Sequence, residues 1–274
     1  MAVITVSRQF GSDGDEIAGA TAARLGHPLF DKQTVEEKLH NYGVKESALA
    51  RYDEKRPGFW AALSADQERY AQYLRLAVLD VALAGNAVIL GRGAHSILSE
   101  IPGIATVRVV APREIRHTAI VERYGAADDQ AERMIRDSDR EREGFHRYFH
   151  DVDWNAPEQY ALTINTGFMD VDTAVDLVCT IHDHLEAEID ATRTRELIND
   201  RWVATRITAD IRFAADLPVR YLNVQVSGSE VTLYGAVSSA AITGKCEEIA
   251  RNVPGVETVN CEIQEIPDYA PTLL

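Results

Sequence analysis

The opening stretch, residues 3–18, constrains the fold more than any other part of the chain. Val3-Ile4-Thr5-Val6 is a β-branched run and Gly11 and Gly14 follow it. Ile17, Ala18, Thr21, Ala22 and Leu25 then recur at helical spacing until Gly26. A strand, a glycine loop and a helix in this order gather backbone N–H groups around the loop. The loop is also acidic, with Asp13, Asp15 and Glu16. Two readings stand side by side. The loop wraps a phosphate, or Asp15 and Glu16 occupy the first helical turn, where carboxylates meet the helix dipole and free N–H groups. The lysine and hydroxyl of GxxxxGK[ST] are missing, so spacing alone does not choose.

The same alternation continues through residue 185. Leu29-Phe30, Ala87-Val88-Ile89-Leu90, residues 106–110 and Leu162-Thr163-Ile164 are short apolar strand candidates. Residues 67–84 read as a helix, with Tyr70, Leu74, Ala77, Val78 and Val81 at three- and four-residue spacing. Apolar strands separated by helices predict an α/β fold, a parallel sheet flanked by helices on both faces. Ligands in such sheets bind beyond the carboxyl ends of the strands. That rule selects residues 7–16, Asp31-Lys32, Gly91-Arg92-Gly93, Pro112-Arg113 and Asn165-Thr166.

A second texture begins near residue 195. Residues 198–214 read as helical until Pro218, and residues 221–226 alternate as a half-buried strand. Ser227-Gly228-Ser229 is a turn before residues 230–234, a helix covers 240–251, and a last strand covers 258–265. The expected organisation is a parallel-sheet domain at 1–185, a charged helical connector at 186–196, a small α+β domain at 197–266 and a loosely held tail at 267–274.

A formal charge of −15 is spread over both parts: residues 1–194 hold 21 Lys/Arg against 32 Asp/Glu, and residues 195–274 hold 7 against 11. Neither part has the positive balance of a nucleic-acid binder, so no nucleic-acid partner is expected. No apolar run approaches the ~20 residues that span a bilayer. Cys179, Cys246 and Cys261 form no CxxC, and no basic segment precedes the first strand; a reducing, cytoplasmic setting without a secretory signal is expected.

An anionic ligand needs local cations, and arginines supply them. Arg133, Arg136, Arg140 and Arg147 share a helical face, with Arg142 and Arg123 nearby, and Arg113 and Arg116 follow a strand directly. They clamp phosphoryl oxygens, or they form an i,i+4 lattice with Glu132, Asp137, Asp139, Glu141 and Glu143. Arg92 either faces a ligand or pairs with Asp31. Asp31 accepts from a ribose, orders a magnesium shell, or caps the next helix. His146 and His150 lie beside Asp151 and Asp153, but no further residue has metal-ligand spacing, and no metal site is assigned. His182 and His184 are expected on the surface. No GxSxG element suggests hydrolysis.

Residues 4–12 with Ile17-Ala18, Phe30-Asp31-Lys32, Ala87-Val88-Ile89-Leu90-Gly91-Arg92-Gly93-Ala94 and residues 107–112 leading to Arg116 together resemble the cytidylate-kinase-like family. So do residues 137–149, Asp153-Trp154 and residues 160–167. The resemblance implies a P-loop nucleoside-monophosphate-kinase fold that moves the γ-phosphoryl of ATP, with Mg2+, onto CMP or a related monophosphate. Arg8, Gly11, Ser12, Gly14 and Arg116 would bind the donor, Arg116 near its base. Asp31, Arg92 and Arg142 would bind the acceptor, and Arg92, Arg136 and Arg140 would be catalytic. The family usually continues from the serine as Gly-Gly and a basic residue, where this chain has Asp13, Gly14 and Asp15. The alternative implied by that departure is a catalytically degenerate nucleotide-binding or sensory protein. Residues 224–226, Gly228, 231–237, 249–250 and 253–259 resemble a BON domain, which implies binding of a small ligand, a protein or a membrane. Packing against the kinase-like domain, or pairing of subunits into a homo-oligomer, is the simpler role for it.

Overall fold

Short β-branched runs buried on both faces dictate where the sheet lies. The computed structural model describes residues 2–44 and 65–266, and the tail expected at 267–274 lies outside them. The chain splits into two compact units, residues 1–194 and 195–274.

The first unit is built on β1 (Val3–Arg8), β2 (Leu29–Phe30), β3 (Ala87–Leu90), β4 (Ile104–Val110) and β5 (Leu162–Asn165). They form one five-stranded sheet in the order β2-β3-β1-β4-β5. Every pairing is parallel, with Val3 opposite both Ala87 and Ile104. The expected parallel core is therefore present, and β1 lies at its centre.

Helices α1 (Gly14–Leu25) and α7 (Val171–Glu188) cover one face, where Ile17, Ala18, Ala174, Val175 and Val178 meet Val6, Leu90, Val107 and Val109. Because Val107 and Val109 face that core, Arg108 points to the opposite face. The remaining helices are α2 (Lys32–Asn41), α3 (Ala65–Ala84), α4 (Ala94–Ile97), α5 (Arg113–Tyr124) and α6 (Asp128–His150). His182 departs from its expected surface position. It continues the buried Val175–Val178 stripe of α7, is 7% exposed, and has its Nε2 3.1 Å from that of His27.

The connector expected at 186–196 is broken rather than continuous. Ile189 is extended after α7, and Asp190 starts α8 (Ala191–Ala209) by accepting from the amides of Thr192 and Arg193 at 3.0 Å.

The second unit holds β6 (Arg220–Ser227), β7 (Glu230–Val237), α9 (Ala240–Arg251) and β8 (Thr258–Glu265). β6 and β7 pair antiparallel through the turn at Gly228 (φ +62°), and β7 and β8 pair parallel across α9. Val203, Ile207 and Ile211 join Val231, Leu233, Cys246, Ala250 and Ile263 in its core. Burial in that core pushes the Cys246 thiol up to about 11. The helix expected at 198–214 ends in a π turn, Asp210–Ala214, closed by the Ala215 amide on the Asp210 carbonyl at 2.8 Å. No helix among the described residues is long and apolar enough to cross a membrane.

Candidate functional site

The carboxyl ends of β1, β3 and β4 open onto the loop that the sequence singles out. Backbone and side-chain bonds fix its course: the Gln9 amide donates to the Val109 carbonyl at 2.9 Å, and the Ala111 amide donates to Gln9 Oε1 at 3.2 Å. Ser12 donates its hydroxyl to the carbonyls of Gln9 at 2.9 Å and Val109 at 3.2 Å. That hydroxyl is committed to the loop itself.

The glycines are required by space. A Cβ on Gly11, at φ +78°, would lie 2.9 Å from the Arg116 carbonyl oxygen, and one on Gly14 would collide with the Arg8 side chain. Asp13 takes the left-handed conformation, φ +58°, where glycine is the easier residue.

Asp15 and Glu16 lie in the first turn of α1, as the second reading of the loop expects. Asp13 is its N-cap, and the Asp13 side chain makes no capping bond to the turn. Each carboxylate is also held by an arginine. Arg8 Nε donates to Asp15 Oδ1 at 2.8 Å. Arg123 Nη2 lies 3.1 Å from Asp13 Oδ1 and 3.6 Å from Glu16 Oε2.

Helices α5 and α6 are joined by two further arginines. Arg116, 6% exposed, reaches both oxygens of Asp139, at 2.9 and 2.8 Å, and the Phe10 carbonyl at 3.4 Å. Arg113 pairs with Glu132. The two arginines expected to close over a ligand are exposed: Arg136 stands 3.6 Å from Asp137, and Arg140 makes no ion pair among the described residues. Arg142 lies on the opposite, buried side of α6 and donates to the Ser138 hydroxyl at 2.9 Å. It is directed into packing, away from the exposed arginine face.

On the far side of β1, Arg92 follows β3 in a left-handed conformation, φ +56°, and is 3% exposed. It pairs with Glu36 of α2 at 3.5 Å, rather than with Asp31. Asp31 caps α2, accepting from the Thr34 amide and hydroxyl at 3.1 Å each. Cβ-free Gly93 is needed because the His150 ring lies against it.

Residue spacing does not reveal the buried network beside this loop. Arg108 donates to the Trp154 carbonyl, to the Tyr160 hydroxyl at 3.2 Å and to Asn155 Oδ1 at 2.7 Å, and its guanidinium stacks 4.1 Å from the Trp154 ring centre. Trp154 Nε1 donates to Ser7 Oγ at 2.7 Å, tying this cage to the end of β1. His95 and His146 meet at a tilt with ring centres 4.7 Å apart, and His146 lies parallel to Trp154. Burial, with His95, His150, Arg108 and Arg142 around it, holds His146 well below the ordinary histidine range. Burial also raises the Tyr160 phenol. The signal for this network was Arg108 itself, a charged residue inside a strand covered on both faces.

No group of three or more His, Cys, Asp or Glu among the described residues is placed to hold a metal ion. Magnesium suits such a site when it arrives on phosphate oxygens, because it is commonly bound through phosphates with few protein ligands.

Comparison with known proteins agrees with this architecture. The model of the Cytidylate kinase-like family matches residues 3–167, and that of the BON domain matches residues 199–267. An uncharacterized protein from Eubacterium ventriosum is 23% identical, with a TM-score of 0.52 over 67% of this chain and 99% of its own. A shikimate kinase from Bacteroides thetaiotaomicron is 16% identical, with a TM-score of 0.42 over 66% of this chain and 98% of its own. No curated protein matches the chain.

Proposed function

The chain belongs to the cytidylate-kinase-like family through residues 3–167, and from that premise we propose that it is a nucleoside-monophosphate kinase. The reaction transfers the γ-phosphoryl of ATP, with Mg2+, to CMP or a related monophosphate. One observation carries this reading: the N-cap Asp13 makes no side-chain capping bond to α1, and Asp13, Asp15 and Glu16 pair with Arg8 and Arg123.

The N–H groups at the start of α1 hold the donor phosphates, with Gly11 and Gly14 permitting close approach. Magnesium, carried on those phosphates, supplies charge neutralisation. Arg136 and Arg140 stand on the exposed face of α6 to meet charge on the transferring group. Arg92, held by Glu36, faces the acceptor phosphate on the side where Asp31 starts α2. Arg116 orders the donor side by joining the Phe10 carbonyl to Asp139. Such a site works by positioning and electrostatics, because the acceptor phosphate is already an anion. A cytoplasmic setting belongs to the same reading, supported by three cysteines that are all free.

The test is ADP release from ATP and magnesium in the presence of a panel of nucleoside monophosphates. Turnover with one of them supports the kinase. Folded protein that turns over none, yet binds ATP, selects the second reading, a nucleotide-binding sensory protein. Asp15 favours that second reading, because it stands where the family's usual loop is basic. In either case the BON domain is the module that meets a ligand, a protein or a membrane.

A further inference from the structure

The face of α5 toward the phosphate loop is marked by Arg116, Ile120 and Arg123, spaced by four and three residues. Ile120 and the Arg116 carbonyl bracket the space where a Gly11 Cβ would stand, so this face lies directly on the loop. Its two arginines are held differently. Arg116 is buried and grips both oxygens of Asp139 together with a carbonyl. Arg123 is 45% exposed and reaches both Asp13 and Glu16 through Nη2 alone.

We propose that Arg123 is a donor-phosphate ligand, kept on Asp13 and Glu16 until a triphosphate arrives and then exchanged onto its oxygens. The inference rests on the nucleotide-binding reading of the loop and assigns the cation that the loop itself lacks. A single-nitrogen pair at an exposed position is weakly held. A phosphate offers the same guanidinium a two-pronged, charge-assisted contact. Arg8 is less free to serve, because it donates through Nε to Asp15 and its side chain is 13% exposed. On exchange the cation moves to the ligand, and Asp13 and Glu16 turn to solvent or to phosphate-borne magnesium.

A simpler role for Arg123 is to shield Asp13 and Glu16, and a mutant cycle separates the two. ATP with magnesium is titrated calorimetrically into the full chain, into Arg123→Gln, into Asp13→Asn/Glu16→Gln, and into the triple variant. A stored ligand predicts that Arg123→Gln weakens ATP at least ~10-fold in both backgrounds, and that Asp13→Asn/Glu16→Gln tightens it. Arg123→Lys should then recover part of the loss. A shield predicts weakening in the native background and no change once the two carboxylates are neutral. That outcome overturns the inference while leaving nucleotide binding intact. Absence of ATP binding in the native chain and every variant overturns the nucleotide-binding reading and this inference together.

Discussion

Two sets of arginines sit within one unit and are handled in opposite ways. Around the phosphate loop, Arg123 meets carboxylates at the surface, and Arg136 and Arg140 stand on an exposed helix face. Arg108, 3% exposed, has no carboxylate beside it among the described residues; carbonyl, amide and phenol oxygens and two aromatic rings surround it instead. A buried guanidinium costs a great deal to desolvate, so it persists only where most donors are satisfied. An exposed one costs little and is free to change partners. Arg108 therefore holds the fold, and Arg123, Arg136 and Arg140 are available to a ligand.

The strongest way to break this contrast is at the cage. Trp154 is 1% exposed, covers Arg108 and bonds Ser7, so Trp154→Ala should destabilise the first unit by about 3–5 kcal/mol. Urea unfolding measures it. A loss below about 1 kcal/mol would mean that the network is incidental.

The exposed set predicts the reverse pattern. Arg140→Ala should lower kcat about 10²-fold with any accepted monophosphate and leave the unfolding midpoint unchanged. An equal loss of stability and activity would place Arg140 in the structural set.

Acid sharpens the comparison further, because His146 shares the interior with Arg108. His146 is held neutral in the folded protein, with its pKa below the ordinary 6.5. Below that ordinary value the unfolded chain binds a proton that the folded chain refuses. Stability is thus lost as pH falls from about 6.5 toward the lowered folded value, and His146 contributes no dependence above it. The slope approaches about 1.4 kcal/mol per pH unit, and His146→Phe should flatten it between about pH 6.5 and 5. Urea midpoints across that range give the comparison, and an unchanged slope would show that another group, such as His27, dominates.

How much of this was legible in the residues depended on whether local chemistry fixed the answer. The strand runs and their glycine ends located the sheet, because an apolar four-residue strand such as Ala87–Leu90 has few other places to go. The loop's glycines were legible for the same steric reason. The partners of the charges were not. Arg92 chose Glu36 over Asp31, and Arg123 crossed from α5 to Asp13, contacts that only tertiary packing creates. Arg142 shares α6 with Arg140, yet two residues of helical rotation turn it inward. The π turn after α8 likewise carries no periodic signal.

The smallest expected effect tests how the loop came to be acidic. Asp13 holds φ +58°, a conformation that costs a side-chain-bearing residue about 1–2 kcal/mol, though aspartate bears it better than most. Asp13→Gly removes that strain and adds chain entropy to the unfolded state, worth about 0.4–1 kcal/mol in the opposite direction. It also removes the exposed pair with Arg123, which contributes little. The net change should be a stabilisation of about 0.5 kcal/mol or less, read as a small rise in urea midpoint. A clear destabilisation would mean that the Asp13–Arg123 pair is structural. The exposed arginines would then no longer form a separate, exchangeable class.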